Sequence, residues 1–290
     1  MAPCENLASE TNTEGTTLMD TKTAAYHVVD LTPGRRMMIN MLSLGEPKHS
    51  MVGLLEVDVT VPRQLIDRYK QIHAETLSFT GFLALCLGHA IEENKDVHAY
   101  LRGSKHLVVF DDVDVGIMVE HKAGEKRGLM GHVIRVANHK TIQEINTEIR
   151  SVQSAPLPPN RGLPNWFRTA MLLPGPLYKV FRAFIRWATR QDPTILTSMG
   201  GTVSITSVGM FGEGHSGWGL YPVSEPIGLV VGSIAQKPGV VEGRIEPREI
   251  LHLTMMLDHD VIDGAPAARF VRRLVELIES GYGLSDIAAQ

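Results

Sequence analysis

Cysteine is nearly missing from this 290-residue chain: Cys4 and Cys86 are its only two. Neither stands with histidines at zinc-ligand spacing, which excludes a disulfide framework and a structural zinc knuckle as organising features. Charge of one sign is lacking too. The chain carries 28 Lys and Arg against 32 Asp and Glu, a formal net of -4, so nothing draws it in bulk to a phosphate backbone and no nucleic-acid partner is expected. No apolar run reaches the roughly 18 residues of a membrane span; the longest, 82–91, is broken by Gly88 and His89. A Walker-type phosphate loop is absent, as is a strand followed by GxGxxG and a helix. The opening residues, MAPCENLASETNTEGTTLMDTKTAA, hold no basic start followed by an apolar block. They read as a disordered tail over 1–28, which predicts a cytoplasmic protein.

From Val29 the composition turns globular, with no Gly/Ser or Pro/Ala linker, which predicts one domain over 29–285 with an insert at 154–196. Residues 51–61 (MVGLLEVDVTV) alternate apolar and polar side chains until Pro62, a strand and its stop. Residues 78–93 read as a mostly buried helix capped by Ser78 or Thr80. Short strands are predicted at 107–110 and 113–120 and a helix over 141–152. Strands at 202–208, 227–234 and 251–258 follow. An amphipathic helix over 264–280, with Pro266 in its first turn, closes the order. Strands and helices mix without strict alternation, which favours a mixed sheet with helices packed against it.

The densest chemical signal is LHLTMMLDHDVIDGAPAARF, 251–270. A strand delivers His259 to a turn that Val261 and Ile262 can anchor, and Asp263 with Gly264 leads into the last helix. Histidine, with an unperturbed pKa of about 6.5, suits a general base near neutral pH. The same spacing also fits a histidine at a sheet edge and an aspartate capping a helix. His252, seven residues before His259 on a strand, faces the opposite way and is a poor co-ligand for a metal. The run GEGHSGWG (212–219), with His215 and Ser216, reads as a loop beside the site rather than a hydrolase nucleophile elbow.

The string DHDVIDGAPAARF resembles the HxxxDG signature of the catalytic domain of the dihydrolipoyl acyltransferases of 2-oxoacid dehydrogenase complexes. That family shares its fold with chloramphenicol acetyltransferase. GGTVSITSVGMFG (200–212) resembles its strand and glycine turn carrying a hydroxyl residue, VDVGIMV (113–119) its central strand, and 36–39 with 51–60 its opening basic segment and first strand. The resemblance runs in order from about residue 32 to about residue 279, apart from the insert. It implies an α/β fold, a chloramphenicol-acetyltransferase-like two-layer sandwich of mixed β-sheet and packed helices. It further implies that His259 is the base that takes a thiol proton and that Asp263 orders the active-site turn through an arginine, Arg36 or else Arg35. Thr206 would donate its hydroxyl to the oxyanion, with Ser207, Gly209 and Gly264 beside substrate. Adjacent strand residues face opposite ways, so only one of Thr206 and Ser207 can serve, and Thr206 is favoured. Coenzyme A, as acyl-CoA, is the implied substrate, lipoamide a possible one, and no metal is required. The implied assembly is a homotrimer or a higher oligomer of trimers, with the site between subunits and a small-molecule or lipoyl acceptor.

Three departures from the pattern stand out. Asp260 occupies the place of the family's usual Arg. The roughly 30 residues ahead of the catalytic region are too few for a lipoyl or subunit-binding domain, so a role in a dehydrogenase complex would need lipoyl domains from another chain. The insert carries a basic amphipathic helix, LYKVFRAFIRWATR (177–190), read first as a surface helix on its own sheet, second as a wall of the acyl pocket and last as a membrane contact. The expected activity is acyl transfer from an acyl-CoA. Exchange with dihydrolipoamide, or a trimeric scaffold that has lost the reaction, are the alternatives.

Overall fold

The computed structural model of the protein describes residues 30–43, 48–123, 126–155, 165–207, 216–285 and 287. The predicted tail, Gly209 and Val208 lie outside them. The chain divides after Thr32. Residues 30–32 of the first unit hold no regular element, and everything below belongs to the second.

Period-two apolar patterning produces the sheet. Its strands are β1 (Ser50–Asp58), β4 (Val115–Ala123), β5 (Lys126–Ile134), β6 (Val203–Ser207), β7 (Ile227–Val241) and β8 (Arg244–Asp258), while β2 (Ala99–Arg102) and β3 (His106–Val109) form a separate ribbon. The sheet order is β1-β8-β7-β6-β4-β5. Here β6 runs parallel to both its neighbours and the other pairs are antiparallel, so the sheet is mixed as expected. Helices α2 (Thr60–His73), α3 (Phe79–Glu92), α4 (Ile142–Ser154) and α8 (Gly264–Glu279) cover one face. Phe82, Leu83, Ile145, Phe270 and Leu274 from the helices cluster there with Val57, Ile117, Val203, Ile205, Leu229, Leu253 and Met255 from the strands. The caps explain the helix starts. Ser78 Oγ accepts from Gly81 N–H, and Thr141 with Glu144 forms a reciprocal capping box, each satisfying donors that a helix end leaves bare.

Two sequence expectations need correction. The first strand ends at Asp58, not at Pro62, because α2 starts at Thr60 and places Pro62 in its first turn, where a missing N–H costs no hydrogen bond. Strands β7 and β8 also run well beyond the predicted 227–234 and 251–258, as one hairpin. Glu242 (φ 49°) and Gly243 (φ 80°) close it with two consecutive positive-φ residues, the geometry of a primed two-residue turn.

The Asp58 carboxylate joins β1 to α2 and β8. It accepts from the Thr60 N–H (2.9 Å), the Thr60 hydroxyl (2.6 Å) and Arg248 Nε (2.6 Å). Partial burial pushes its pKa up, but these donors and the Arg248 charge together outweigh burial and hold the carboxyl below its ordinary range. A folded pKa below the unfolded one means stability that is present at neutral pH and lost as pH falls through the folded value. We expect Asp58→Asn to cost about 1 kcal/mol near pH 7. Chemical denaturation of both proteins should show the gap closing below about pH 4.

Gly201 enters β6 at φ +90°, and a Cβ there would lie 2.6 Å from Asp114 O and 2.8 Å from Gly116 N. The β4–β6 junction is therefore closed to any side chain, and Gly201→Ala should destabilise the fold by about 2 to 3 kcal/mol, read as a lowered denaturation midpoint.

The insert folds on a small core of its own. Helices α5 (Asn165–Met171), α6 (Gly175–Gln191) and α7 (Thr194–Gly200) gather Phe167, Met171, Tyr178 and Ile185, with Met37 from α1 (Pro33–Leu42). Asn40 Nδ2 donates to Met171 O (2.6 Å), and the Tyr178 hydroxyl bonds to Asn40 O and Ser43 Oγ. The insert meets the rest of the chain at the β2–β3 ribbon, where Gly103 N–H donates to Arg190 O (2.7 Å), and beside β5, where Arg135 Nη2 donates to Ser198 O. The favoured reading of a helix lying on its own sheet is thereby replaced, because α1 and α5 supply the apolar surface that α6 packs on.

Candidate active site

His259 follows the last residue of β8 and stands exposed at the head of a turn fixed by its backbone. Val261 and Ile262 N–H both donate to Asp258 O (3.1 and 3.0 Å), and His259 N–H donates to His49 O (2.8 Å). The nearly buried Asp258 carboxylate accepts from Asp260 N–H (3.1 Å) and pairs with Lys48 Nζ at 3.0 Å, while Ile262 is buried in the main core. The imidazole itself makes no hydrogen bond among the described residues. Such a ring is rigidly delivered yet free to take a proton from an incoming group.

Asp260, where the family pattern has a cation, holds the exposed His49: Nδ1 to Oδ1 is 2.8 Å. That hydrogen bond, and behind it the Asp260 charge, raises the His49 pKa. Lys48 also sits over the Tyr100 ring, 5.8 Å from its centroid, and the buried Tyr100 hydroxyl donates to Thr202 O (2.8 Å). Lys48, His49 and Tyr100 escaped the sequence reading. No motif marks them; Lys48 and His49 arrive because Ser50 pairs with Asp258 across the antiparallel β1–β8 ladder, which carries the residues before Ser50 alongside the turn, and Tyr100 comes in on β2.

Asp263 occupies the N-cap of α8 (φ −78°, ψ 161°), and its side chain makes no capping bond. Its expected arginine is elsewhere: Arg36 Nη2 donates to Leu173 O at 2.7 Å. The reason is local, since α1 is bound to the insert through Met37 and Asn40, and the carbonyls just past α5 attract a cation. Gly264 opens α8 with free space where a Cβ would be.

On β6, Val203 and Ile205 point into the helix-covered core. Alternation then turns Ser207 to that side and Thr206, with Ser204, to the opposite face of the sheet, where Val230 and Thr254 beside it are buried and Thr206 is half-buried. Ser204 Oγ donates to Glu225 Oε2 (3.0 Å), and Ser224 Oγ to Oε1 (2.9 Å). Thr206 pairs with Val230, and Val230 with Thr254, five residues before His259. At about 3.4 Å per residue and 4.8 Å per strand, Thr206 and His259 of one chain lie some 15 to 20 Å apart. One chain does not bring the expected base and the expected oxyanion donor together.

His252 takes no part in that turn. Its buried ring meets Ser233 O through Nδ1 (3.0 Å) and Lys237 Nζ through Nε2 (3.0 Å), and lies edge-on to Trp218, 4.6 Å between centroids. Both nitrogens are used structurally. Cys86 is fully buried in α3, and burial drives its thiol pKa well up, so it offers no thiolate for acyl chemistry. Among the described residues no group of three His, Cys, Asp or Glu is arranged to hold a metal ion.

Comparison with known proteins matches this geometry to one family. Residues 23–156 and 182–284 fit the model of the 2-oxoacid dehydrogenases acyltransferase catalytic domain. The chain is 28% identical over 228 residues to the dihydrolipoyllysine-residue succinyltransferase component of the 2-oxoglutarate dehydrogenase complex of Bartonella vinsonii subsp. berkhoffii, covering 77% of this chain and 46% of that protein. The chain spans about half the length of the curated relatives it matches. Its fold is that of a protein from the cubic core of the pyruvate dehydrogenase multienzyme complex (TM-score 0.61, 19% identity, 92% of this chain and 97% of that one). It is shared equally with the dihydrolipoamide acetyltransferase of Azotobacter vinelandii (TM-score 0.60, 20% identity, 92% and 97%), whose structure was determined to investigate the catalytic roles of a serine, a histidine and an asparagine. With a mixed sheet, four covering helices, a histidine-bearing turn and a family match over most of its length, this chain belongs to the 2-oxoacid dehydrogenase acyltransferase catalytic-domain family.

Proposed function

We propose that the protein transfers an acyl group between coenzyme A and the thiol of dihydrolipoamide, in a site built by two copies of the chain. The observation that carries this reading is the separation just described. A free imidazole at one end of β8 and a hydroxyl on the far face of β6 can act on one carbonyl only if they come from different copies. The exposed apolar side chains Val52, Leu54 and Met118 on that same face give a second copy something to cover, and an assembly of trimers fits the cubic core of the structural relative.

In this reading His259 accepts the proton of the attacking thiol, and the sulfur bonds to the thioester carbonyl carbon. The carbonyl π electrons move to oxygen, and Thr206 of the neighbouring copy donates its hydroxyl to that oxyanion. Collapse re-forms the carbonyl and breaks the bond to the coenzyme A sulfur, which leaves with the proton held by His259. Asp263 meets α8 through its backbone, its carbonyl accepting from Ala267 N–H (3.0 Å), which fixes where the turn joins the helix. In the Azotobacter protein the histidine and the asparagine are four residues apart, as His259 and Asp263 are here. The dihydrolipoyllysine and lipoamide chemistry in the relatives' names supports dihydrolipoamide as acceptor.

The test is to incubate the protein with acetyl-CoA, succinyl-CoA and longer acyl-CoAs, with and without dihydrolipoamide, following acyl-dihydrolipoamide and free coenzyme A. Acceptor-dependent transfer from at least one acyl-CoA is expected. Release of coenzyme A at the same rate without dihydrolipoamide would move the assignment to another acceptor, and no release from any thioester would leave a scaffold.

A further inference from the structure

Helix α6 has three faces, and the insert's apolar core takes one. Tyr178, Phe181 and Ile185 pack into the insert's core. Leu177, Val180, Phe184 and Trp187, at spacings of three and four, form a second line along the helix. They are 58%, 70%, 59% and 61% exposed, so an aromatic and aliphatic edge on the order of 15 Å long stands in water. The third line is cationic: Lys179, Arg182, Arg186 and Arg190 border a shallow groove with Trp187. Between the apolar and cationic lines the outward ridge is Ala183, a side chain too small to hold a flat surface away from either. No acidic residue interrupts the helix, and residues 154–196 hold six Arg and Lys against the single Asp192 in a chain whose net charge is -4. This segregation of charge is a property of the insert, not of the molecule.

We infer that α6 is a membrane-surface docking element, laid flat on an anionic lipid bilayer with Phe184 and Trp187 in the headgroup layer and Lys179 and Arg182 against lipid phosphates. Charge complementarity selects that occupant. A protein groove would bury the apolar line alone, whereas an anionic bilayer satisfies both lines at once, each within the depth that an interfacial helix reaches. The helix rests on the surface and does not cross it, since no helix among the described residues is long and apolar enough to span.

The experiment is flotation of the intact protein with phosphatidylcholine vesicles, with and without about one third phosphatidylglycerol. The wild type should float with the anionic vesicles, not with phosphatidylcholine alone, and should be released as ionic strength rises. Phe184→Ser with Trp187→Ser, and separately Lys179→Gln with Arg182→Gln, should each weaken binding about tenfold or more, with acyl transfer in lipid-free solution unchanged. Failure of the wild type to float, or equal flotation of both double variants, would overturn the inference. So would a change in oligomeric state of the Phe184→Ser, Trp187→Ser protein by light scattering, which would make the face a contact between copies. Displacement from vesicles by coenzyme A would likewise reassign the cations to substrate. Because flotation reads lipid and not turnover, the inference and the proposed reaction can fail independently.

Discussion

Replacement of His259 by alanine is expected to lower acyl transfer about 10²- to 10⁴-fold at pH 7, with a stability change within about 0.5 kcal/mol. The two halves of that expectation come from different parts of the same turn. The imidazole is exposed and has no hydrogen-bond partner among the described residues, so its removal leaves neither a cavity nor an orphaned buried group. The turn survives because its bonds are peptide bonds' own: Val261 and Ile262 N–H to Asp258 O, and His259 N–H to His49 O. Meanwhile Lys48 keeps the Asp258 carboxylate paired. What disappears is the proton acceptor. A thiol with a pKa near 8.5 ionises unaided as pH rises, so the variant should recover part of its rate in alkaline buffer. Initial rates across pH, with thermal melts of both proteins, measure the two effects. A variant keeping more than about a tenth of the wild-type rate at pH 7 would show that His259 is not the base.

The turn at 259–264 was legible in the sequence because its signal is local. A strand, a histidine, an Asp-Gly step and an amphipathic helix follow one another within twenty residues. Helices α3, α4 and α8 were legible for the same reason, through Ser78, Thr141 and Pro266 at their starts. What the sequence concealed depends on pairing at a distance. Strand β5 carries Gly128 and Gly131, which dilute its alternation, and exists as the antiparallel partner of β4. The outer half of the β7–β8 hairpin sets Pro238 opposite Pro247. Prolines argue against a strand, yet a two-stranded arm tolerates them where the missing N–H would face outward. Pro62 misled in the opposite sense, because one residue type both stops strands and opens helices. Arg36 is the most instructive miss. Its role was transferred from a resemblance in a chain whose insert then supplied the Leu173 carbonyl as a nearer partner.

Thr206→Val should lower acyl transfer by about 10²- to 10³-fold, the usual loss when one preorganised oxyanion donor is removed, whereas Thr206→Ser should retain most of the rate. Valine keeps the β-branched shape at this half-buried strand position, so the fold is not the variable. The stronger consequence concerns where the hydroxyl acts. Because Thr206 lies level with Thr254 and some five residues short of His259 along the sheet, the proposed site takes its histidine from one copy and its threonine from the next. Mixing the inactive His259→Ala and Thr206→Val proteins, by joint refolding or co-expression, then creates interfaces where a wild-type His259 faces a wild-type Thr206. With equal amounts and random assembly, one partner must be the threonine variant and the other the histidine variant, so about a quarter of the interfaces in any closed ring are intact. The mixture should therefore regain about a quarter of the wild-type rate, against roughly a hundredth or less for either variant alone. Recovery depends on exchange of chains: the same two proteins mixed without refolding should stay inactive. If the jointly refolded mixture shows no more than the average of its two components, the base and the oxyanion donor belong to one chain, and Thr206 is too far from His259 to be that donor.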